Sequence, residues 1–225
     1  MEERSFRIKR RYVYALLILA VLSFGYFMYS FGAKGNEPPA MPDPQATGMS
    51  SDMSSHHKPF QATPSGFFEG AVGKKAPEFE LQGINGAIVK LSDYRGKNVV
   101  LFFNEGSMCY PACWNQISSL ANDARFSKED TVALSIVVDS LSQWRQILQK
   151  VPQMSKSTIL FDTAREVSAA YDVLYADSSM HKGSYPGHTY FVIDKDGIIR
   201  YTKDDPAMAI NNEDIASELE KIKGA

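Results

Sequence analysis

NVVLFFNEGSMCYPACWNQ, residues 98–116, passes from a run of β-branched and aromatic residues into a loop that holds Cys109 and Cys113. The opening NVVLFF reads as a short buried strand. Beyond the loop, Trp114, Ile117, Leu120 and Ala121 recur at helical spacing, which predicts a helix with Cys113 in its first turn. The stretch is therefore a strand, a loop and a helix, with sulfur at the junction.

These are the only two cysteines in a chain of 225 residues. A thiol at the end of a buried strand, where a loop feeds a helix, meets unpaired backbone N–H groups and the positive end of the helix dipole. Both favour thiolate over thiol. Four positions at a helix start make about one turn, so the second sulfur can reach the first and close a small ring after it has been oxidised or joined to a substrate. The expected roles are attack by Cys109, the more exposed, and resolution by Cys113. A plain stabilising disulfide is the rival in an exported protein. A ring over three intervening residues removes little chain entropy, however, so redox or metal use is favoured.

Around this stretch, strands alternate with helices. PEFEL (77–81) and the end of GINGAIVKL (83–91) read as strands, SDYRGK (92–97) as a turn, and TVALSIVV (131–138) and STILF (157–161) as buried strands. SLSQWRQILQKV (140–151) is an amphipathic helix closed by Pro152, and TAREVSAAYDV (163–173) looks helical. HTYFVID, a KDG turn and IIRYT form a closing hairpin, followed by a capped helix in NNEDIASELEKIKG (211–224). The pattern implies an α/β layer structure.

Toward the N-terminus the composition changes twice. Residues 32–65, rich in Pro, Ser, Gly and Met, have no apolar periodicity and read as a flexible tether. Met41, Met49, Met53, His56 and His57 within it are residue types that can bind copper, though nothing fixes their geometry. Before the tether, Tyr12 to Phe31 contains no Asp, Glu, Lys, Arg or His and has the length of a membrane-crossing helix. Arg4, Arg7, Lys9, Arg10 and Arg11 flank it, so residues 1–11 are expected in the cytoplasm and the domain of residues 66–225 outside. A cleaved signal is the alternative, but Ser30-Phe31-Gly32 is a poor cleavage site and the apolar segment is long for one. With 24 basic and 26 acidic residues there is no basic excess, so nucleic acid is excluded as a partner.

VGKKAPEFELQGINGAIVKLSDYRGKNVVLFFNEGSMC (72–109) together with GHTYFVIDKDGIIRY (187–201) resembles the redoxin branch of the thioredoxin fold, the alkyl hydroperoxide reductase and thiol-specific antioxidant (peroxiredoxin-like) family. The likeness runs from about Val72 to the C-terminus. It implies a thioredoxin-like α/β fold, a central mixed sheet of four or five strands flanked by helices, preceded here by one transmembrane helix. It also implies thiol-disulfide or peroxide chemistry at Cys109, with an external reductant and no cofactor. Where peroxiredoxins keep Thr or Ser three residues before the attacking cysteine, and Pro four before that, this chain has Gly106 and Phe102.

Counting back from DKDG, the position that faces the cysteines in the thioredoxin fold is His188. As imidazolium it would stabilise a thiolate, and as neutral imidazole it would shuttle a proton, so Cys109, Cys113 and His188 are the expected catalytic set. A histidine that merely caps the strand is the plainer alternative. The same three residues resemble the copper set of the Sco chaperone family, although Trp114 follows the second Cys where that family usually has Pro. Glu105 is read as an exposed loop acid, Trp114 as a packing residue, and His181, beside Met180, as solvated.

Overall fold

The computed structural model of the protein describes residues 63–128 and 130–223. The segment expected in the cytoplasm, the membrane helix expected over residues 12–31 and nearly all of the expected tether, with its Met and His residues, lie outside the described residues. Among the described residues no helix is long and apolar enough to cross a membrane.

Seven strands form one sheet in the order β2-β1-β5-β4-β3-β6-β7, built from β1 (Glu80–Gly83), β2 (Ile88–Lys90), β3 (Asn98–Phe103), β4 (Thr131–Val137), β5 (Ile159–Phe161), β6 (Thr189–Ile193) and β7 (Ile199–Asp204). β3, β4 and β5 run parallel, while β6 and β7 continue antiparallel from β3. The α-helices among the described residues are α1 (Ala112–Asn122), α2 (Leu141–Lys150), α3 (Glu166–Ala170) and α4 (Asn212–Lys223). The mixed α/β sheet is as expected, and each of its seven strands overlaps a stretch that reads as a strand in the sequence. β1 and β2 form a hairpin that joins β5 antiparallel, giving seven strands where the resemblance implied four or five.

The sheet is covered on both faces because β3 is buried along its whole length. With a period of two, Val100 and Phe102 point to one side, where they pack with Ile117 and Leu120 of α1, Trp144 of α2, and Ile215 and Leu219 of α4. Val99, Leu101 and Phe103 point to the other side, toward Phe79, Leu91, Tyr171 and Val173. NVVLFF thus reads as a near-continuous apolar run because neither side of this strand meets water.

Local chemistry trims two expected elements. The strand expected over 77–81 begins at Glu80, since Pro77 has no N–H to contribute to a ladder. The helix expected over 163–173 shrinks to Glu166–Ala170, with Arg165 and Asp172 at φ +63° and +59° on its flanks. The Asp162 carboxylate accepts from the Ser168 N–H and hydroxyl at 2.7 Å each, tying that short helix to the end of β5. α2 matches its sequence signals: the Ser140 hydroxyl accepts from the Gln143 N–H at 3.3 Å, and Pro152 follows the last turn.

The turn out of β3 is fixed by the Asp139 carboxylate beyond β4. It accepts from the Ser107 N–H, the Ser107 hydroxyl and the buried Trp144 indole N–H, each at 2.8 Å. Gly106 passes directly over that carboxylate at φ +64°, where an added Cβ would overlap the Asp139 oxygens. Gly106→Ala is therefore expected to destabilise the protein by about 2–4 kcal/mol, from left-handed strain plus the displaced carboxylate. Urea unfolding of the variant beside the parent measures this; an unchanged midpoint would remove Asp139 as the anchor of the turn.

Candidate functional site

β3 ends at Phe103, opposite Thr189 of β6 in an antiparallel ladder. This register puts the loop that leaves β3 beside His188, the residue that enters β6. The loop makes a short 3-10 turn over Gly106–Met108, Cys109 closes it, and α1 begins three residues later at Ala112. The Cys113 N–H donates to the Cys109 carbonyl at 2.9 Å, so Cys113 lies in the first turn of the helix as expected.

Cys109 and Cys113 are joined in a disulfide with a Cα–Cα distance of 5.3 Å. The two are 3% and 1% exposed, so exposure hardly separates them, contrary to the reading of Cys109 as the open one. The Met208 thioether sulfur lies 3.9 Å from Cys109 Sγ and helps to cover it. The connecting residue Tyr110 is 71% exposed and Met108 is 48% exposed, leaving an apolar rim around a buried bond.

His188 Nδ1 lies 3.6 Å from Cys113 Sγ. The expected trio of Cys109, Cys113 and His188 is thus assembled, with its sulfur and ring nitrogen atoms all within 4.8 Å of one another. The imidazole leans on the sulfur of Cys113, the helix residue. Its ring packs edge-on to Phe102 at 4.7 Å, and Phe102 stacks on Tyr190 at 4.8 Å. Burial among these groups lowers the His188 pKa to about 4, outweighing the nearby charge of Asp205 that would raise it. The ring is therefore neutral at neutral pH, and the imidazolium role drops out for the disulfide form.

Behind His188 lies a polar chain that the sequence reading missed. The Tyr190 hydroxyl is 2.7 Å from His188 Nε2 and 3.3 Å from Asn211 Nδ2. Asn211 Nδ2 also donates to the Asp205 carboxylate at 2.7 Å, and its Oδ1 accepts from the Lys203 ammonium. Burial opposes the charge on Asp205, but donation from Asn211 and from the Ala209 and Ala207 N–H groups holds its carboxyl below the usual range. Lys203 in turn pairs with Asp214 at 2.6 Å. Gln116 of α1 accepts from the Asn211 N–H at 2.7 Å and so ties this chain to the cysteine helix. Period two along β6 would have put Tyr190 on the His188 side; nothing local in the sequence points to Asn211.

Glu105 is buried rather than exposed, because its carboxylate accepts from the Met180 N–H at 2.6 Å and the His181 N–H at 3.0 Å, pinning the 178–187 loop. It is a staple, and its His181 partner, with ring Nδ1 3.2 Å away, is half-exposed. Trp114 packs between Tyr110 and Trp144 and donates its indole N–H to the Gly106 carbonyl at 3.1 Å. The copper alternative gains no support, since sulfurs joined to each other have lost the thiolate charge that makes cysteine a soft ligand.

The model of the AhpC/TSA family matches residues 72–202. Peroxiredoxin Bcp of Bacillus subtilis (strain 168) is 32% identical over 131 residues, spanning 56% of this chain and 80% of that protein. Peroxiredoxin-2 of Bos taurus is 36% identical over 138 residues, 57% of this chain and 66% of that one. Among solved structures, the peroxidoxin BcpB of Mycobacterium tuberculosis superposes with a TM-score of 0.58 at 22% identity, covering 68% of this chain and 97% of that one. AhpC of Enterococcus faecalis gives a TM-score of 0.60 at 17% identity, covering 68% and 93%. At these identities the structural likeness shows the fold.

A histidine held at about pH 4, against 6.5 when free, favours the fold only while neutral. Its contribution is complete above about pH 6.5 and is lost as the pH falls toward 4, roughly 3 kcal/mol in all. Urea unfolding of the oxidised protein between those pH values is expected to show this slope, and His188→Asn to flatten it. A slope unaffected by the substitution would show that His188 is not buried neutral.

Proposed function

The chain belongs to the AhpC/TSA family, and on that basis we propose that it reduces peroxides by thiol chemistry at Cys109 and Cys113. It is a thiol-dependent oxidoreductase, and the chemistry of this family runs on protein sulfur without a cofactor. The observation that carries the reading is the disulfide between the chain's only two cysteines, with a buried histidine against it.

In the proposed cycle Cys109 thiolate attacks a peroxide oxygen. The O–O bond breaks, Cys109 becomes a sulfenic acid, and the departing oxygen leaves as water or an alcohol after taking a proton. Cys113 thiolate then attacks the Cys109 sulfur, forming the disulfide and releasing water once the hydroxide is protonated. A dithiol protein of thioredoxin type restores both thiols. Direct exchange with protein disulfides is the second reading, favoured by the exposed Met108 and Tyr110 rim, which suits a macromolecular partner better than a small oxidant.

The sequence supports a membrane location for this activity. Tyr12 to Phe31 would anchor the protein once, with the basic residues 1–11 in the cytoplasm and the redox domain outside on the tether.

The test uses the full chain, reduced and kept anaerobic, with hydrogen peroxide or a model disulfide added. With peroxide, the wild type is expected to lose both thiols, Cys113→Ser to stop at a sulfenic acid that dimedone traps, and Cys109→Ser to lose several orders of magnitude in rate. Rapid reaction with the disulfide and none with peroxide would replace the first reading by the second. A dimedone adduct on Cys113 in Cys109→Ser, formed at the wild-type rate, would reverse the roles of the two sulfurs.

A further inference from the structure

Among the described residues the Tyr190 hydroxyl has two polar neighbours, His188 Nε2 at 2.7 Å and Asn211 Nδ2 at 3.3 Å. The orientation of the Asn211 amide is set by charge. Its oxygen faces the Lys203 ammonium, which only donates, and its nitrogen faces the Asp205 carboxylate at 2.7 Å, which only accepts. Turning the amide over would set oxygen against carboxylate and N–H against ammonium. Asn211 Nδ2 is therefore a donor toward Tyr190 and cannot receive the hydroxyl proton.

Burial keeps Tyr190 protonated, its pKa raised despite donation from Asn211. Among the described residues its proton has one acceptor within reach, His188 Nε2. A ring nitrogen that accepts carries no hydrogen, so the single proton of neutral His188 sits on Nδ1, the nitrogen 3.6 Å from Cys113 Sγ. The competing arrangement would have Nε2–H donate to the Ala209 carbonyl at 3.3 Å. That bond is the longer, and it would leave the buried hydroxyl proton without an acceptor.

We infer that Tyr190, held by Asn211, is a positioning residue that fixes His188 as an Nδ1–H donor to the Cys113 sulfur, making Cys113 the leaving thiolate when an external thiol reduces the disulfide. This rests on the redox reading of the cysteine pair. In the step, a reductant thiolate attacks Cys109 Sγ and forms a new S–S bond there. The Cys109–Cys113 bond breaks, and its electron pair remains on Cys113 as a thiolate that accepts the Nδ1–H hydrogen bond. No proton is transferred. The second thiolate of the dithiol reductant then attacks its own partner sulfur, releasing Cys109 thiolate and leaving the reductant oxidised. A leaving sulfur with a stabilised thiolate departs faster, and the same stabilisation favours the reduced state.

The experiment uses full-length protein, wild type and Tyr190→Phe. The variant keeps the ring that stacks on Phe102 and removes only the hydroxyl. Imidazole nitrogen-15 shifts of the oxidised proteins report the tautomer, and dithiothreitol serves as the probe dithiol for reduction rate and equilibrium. Expected are Nδ1–H in the wild type and a shift toward Nε2–H in the variant. Reduction should be about tenfold slower, and the exchange equilibrium about tenfold less favourable to the dithiol, equivalent to about 30 mV. An Nε2–H wild type would overturn the inference without any variant. So would an unchanged tautomer or an unchanged exchange constant in Tyr190→Phe. Because dithiothreitol exchange and the tautomer are read without peroxide, failure of peroxide turnover would remove the peroxidase reading and leave this inference standing.

Discussion

The antiparallel register of β3 and β6, with Phe103 opposite Thr189, is the constraint on which the site depends. It sets the residue that leaves one strand beside the residue that enters the other, and so brings the cysteine loop to His188. A slip of one residue would turn His188 and Tyr190 to the opposite face of the sheet, away from α1 and the sulfurs. Such a slip is strongly opposed because β6 is buried on both faces and Phe102, Tyr190 and Val192 pack with the α1, α2 and α4 residues. Core packing and site geometry are therefore one requirement.

A buried polar chain of His188, Tyr190, Asn211 and Asp205 is costly unless it is complete, since each unsatisfied member loses water without replacing it. Here the accounting closes. The Asp205 carboxylate is met by Asn211 and by two backbone N–H groups, Ala207 at 3.2 Å and Ala209 at 2.8 Å. The Asn211 oxygen is met by Lys203, which Asp214 balances at the surface. The cysteine turn has a parallel arrangement, with Asp139 satisfied by Ser107 and Trp144. Both carboxylates hold loop backbone in place, and the sulfurs are positioned between these two rigid corners.

Much of this was legible in the sequence where periodicity or spacing carried it. NVVLFF announced a buried strand, the Trp114, Ile117 and Leu120 spacing announced the cysteine helix, and the distance to the DKDG turn placed His188 opposite the sulfurs. Long-range polar pairings were not legible. Asp139, Asn211 and Gln116 are ordinary loop and helix residues in the sequence, and their roles depend on tertiary pairings, Asp139 with Ser107, Asn211 with Tyr190 and Gln116 with Asn211, that no local pattern announces. Glu105 is buried for a reason of the same kind: an acid in a loop looks solvated until a second loop supplies N–H donors. β1 and β2 were legible as strands, but the pairing of β1 onto β5 that widens the sheet is one that no local pattern specifies.

The two sulfurs differ by surroundings more than by exposure. The first turn of α1 and the His188 imidazole both lie against Cys113, while Cys109 ends a 3-10 turn under the Met208 thioether. Helix dipole and hydrogen bond alike lower the energy of charge on Cys113. Thiol-disulfide exchange rewards that asymmetry, since the stabilised sulfur leaves more readily when its partner is attacked. With the ring neutral, the donated hydrogen bond supplies this polarity without burying a permanent positive charge. A cysteine pair one helical turn apart is thus given unequal members by one buried histidine and the tyrosine behind it.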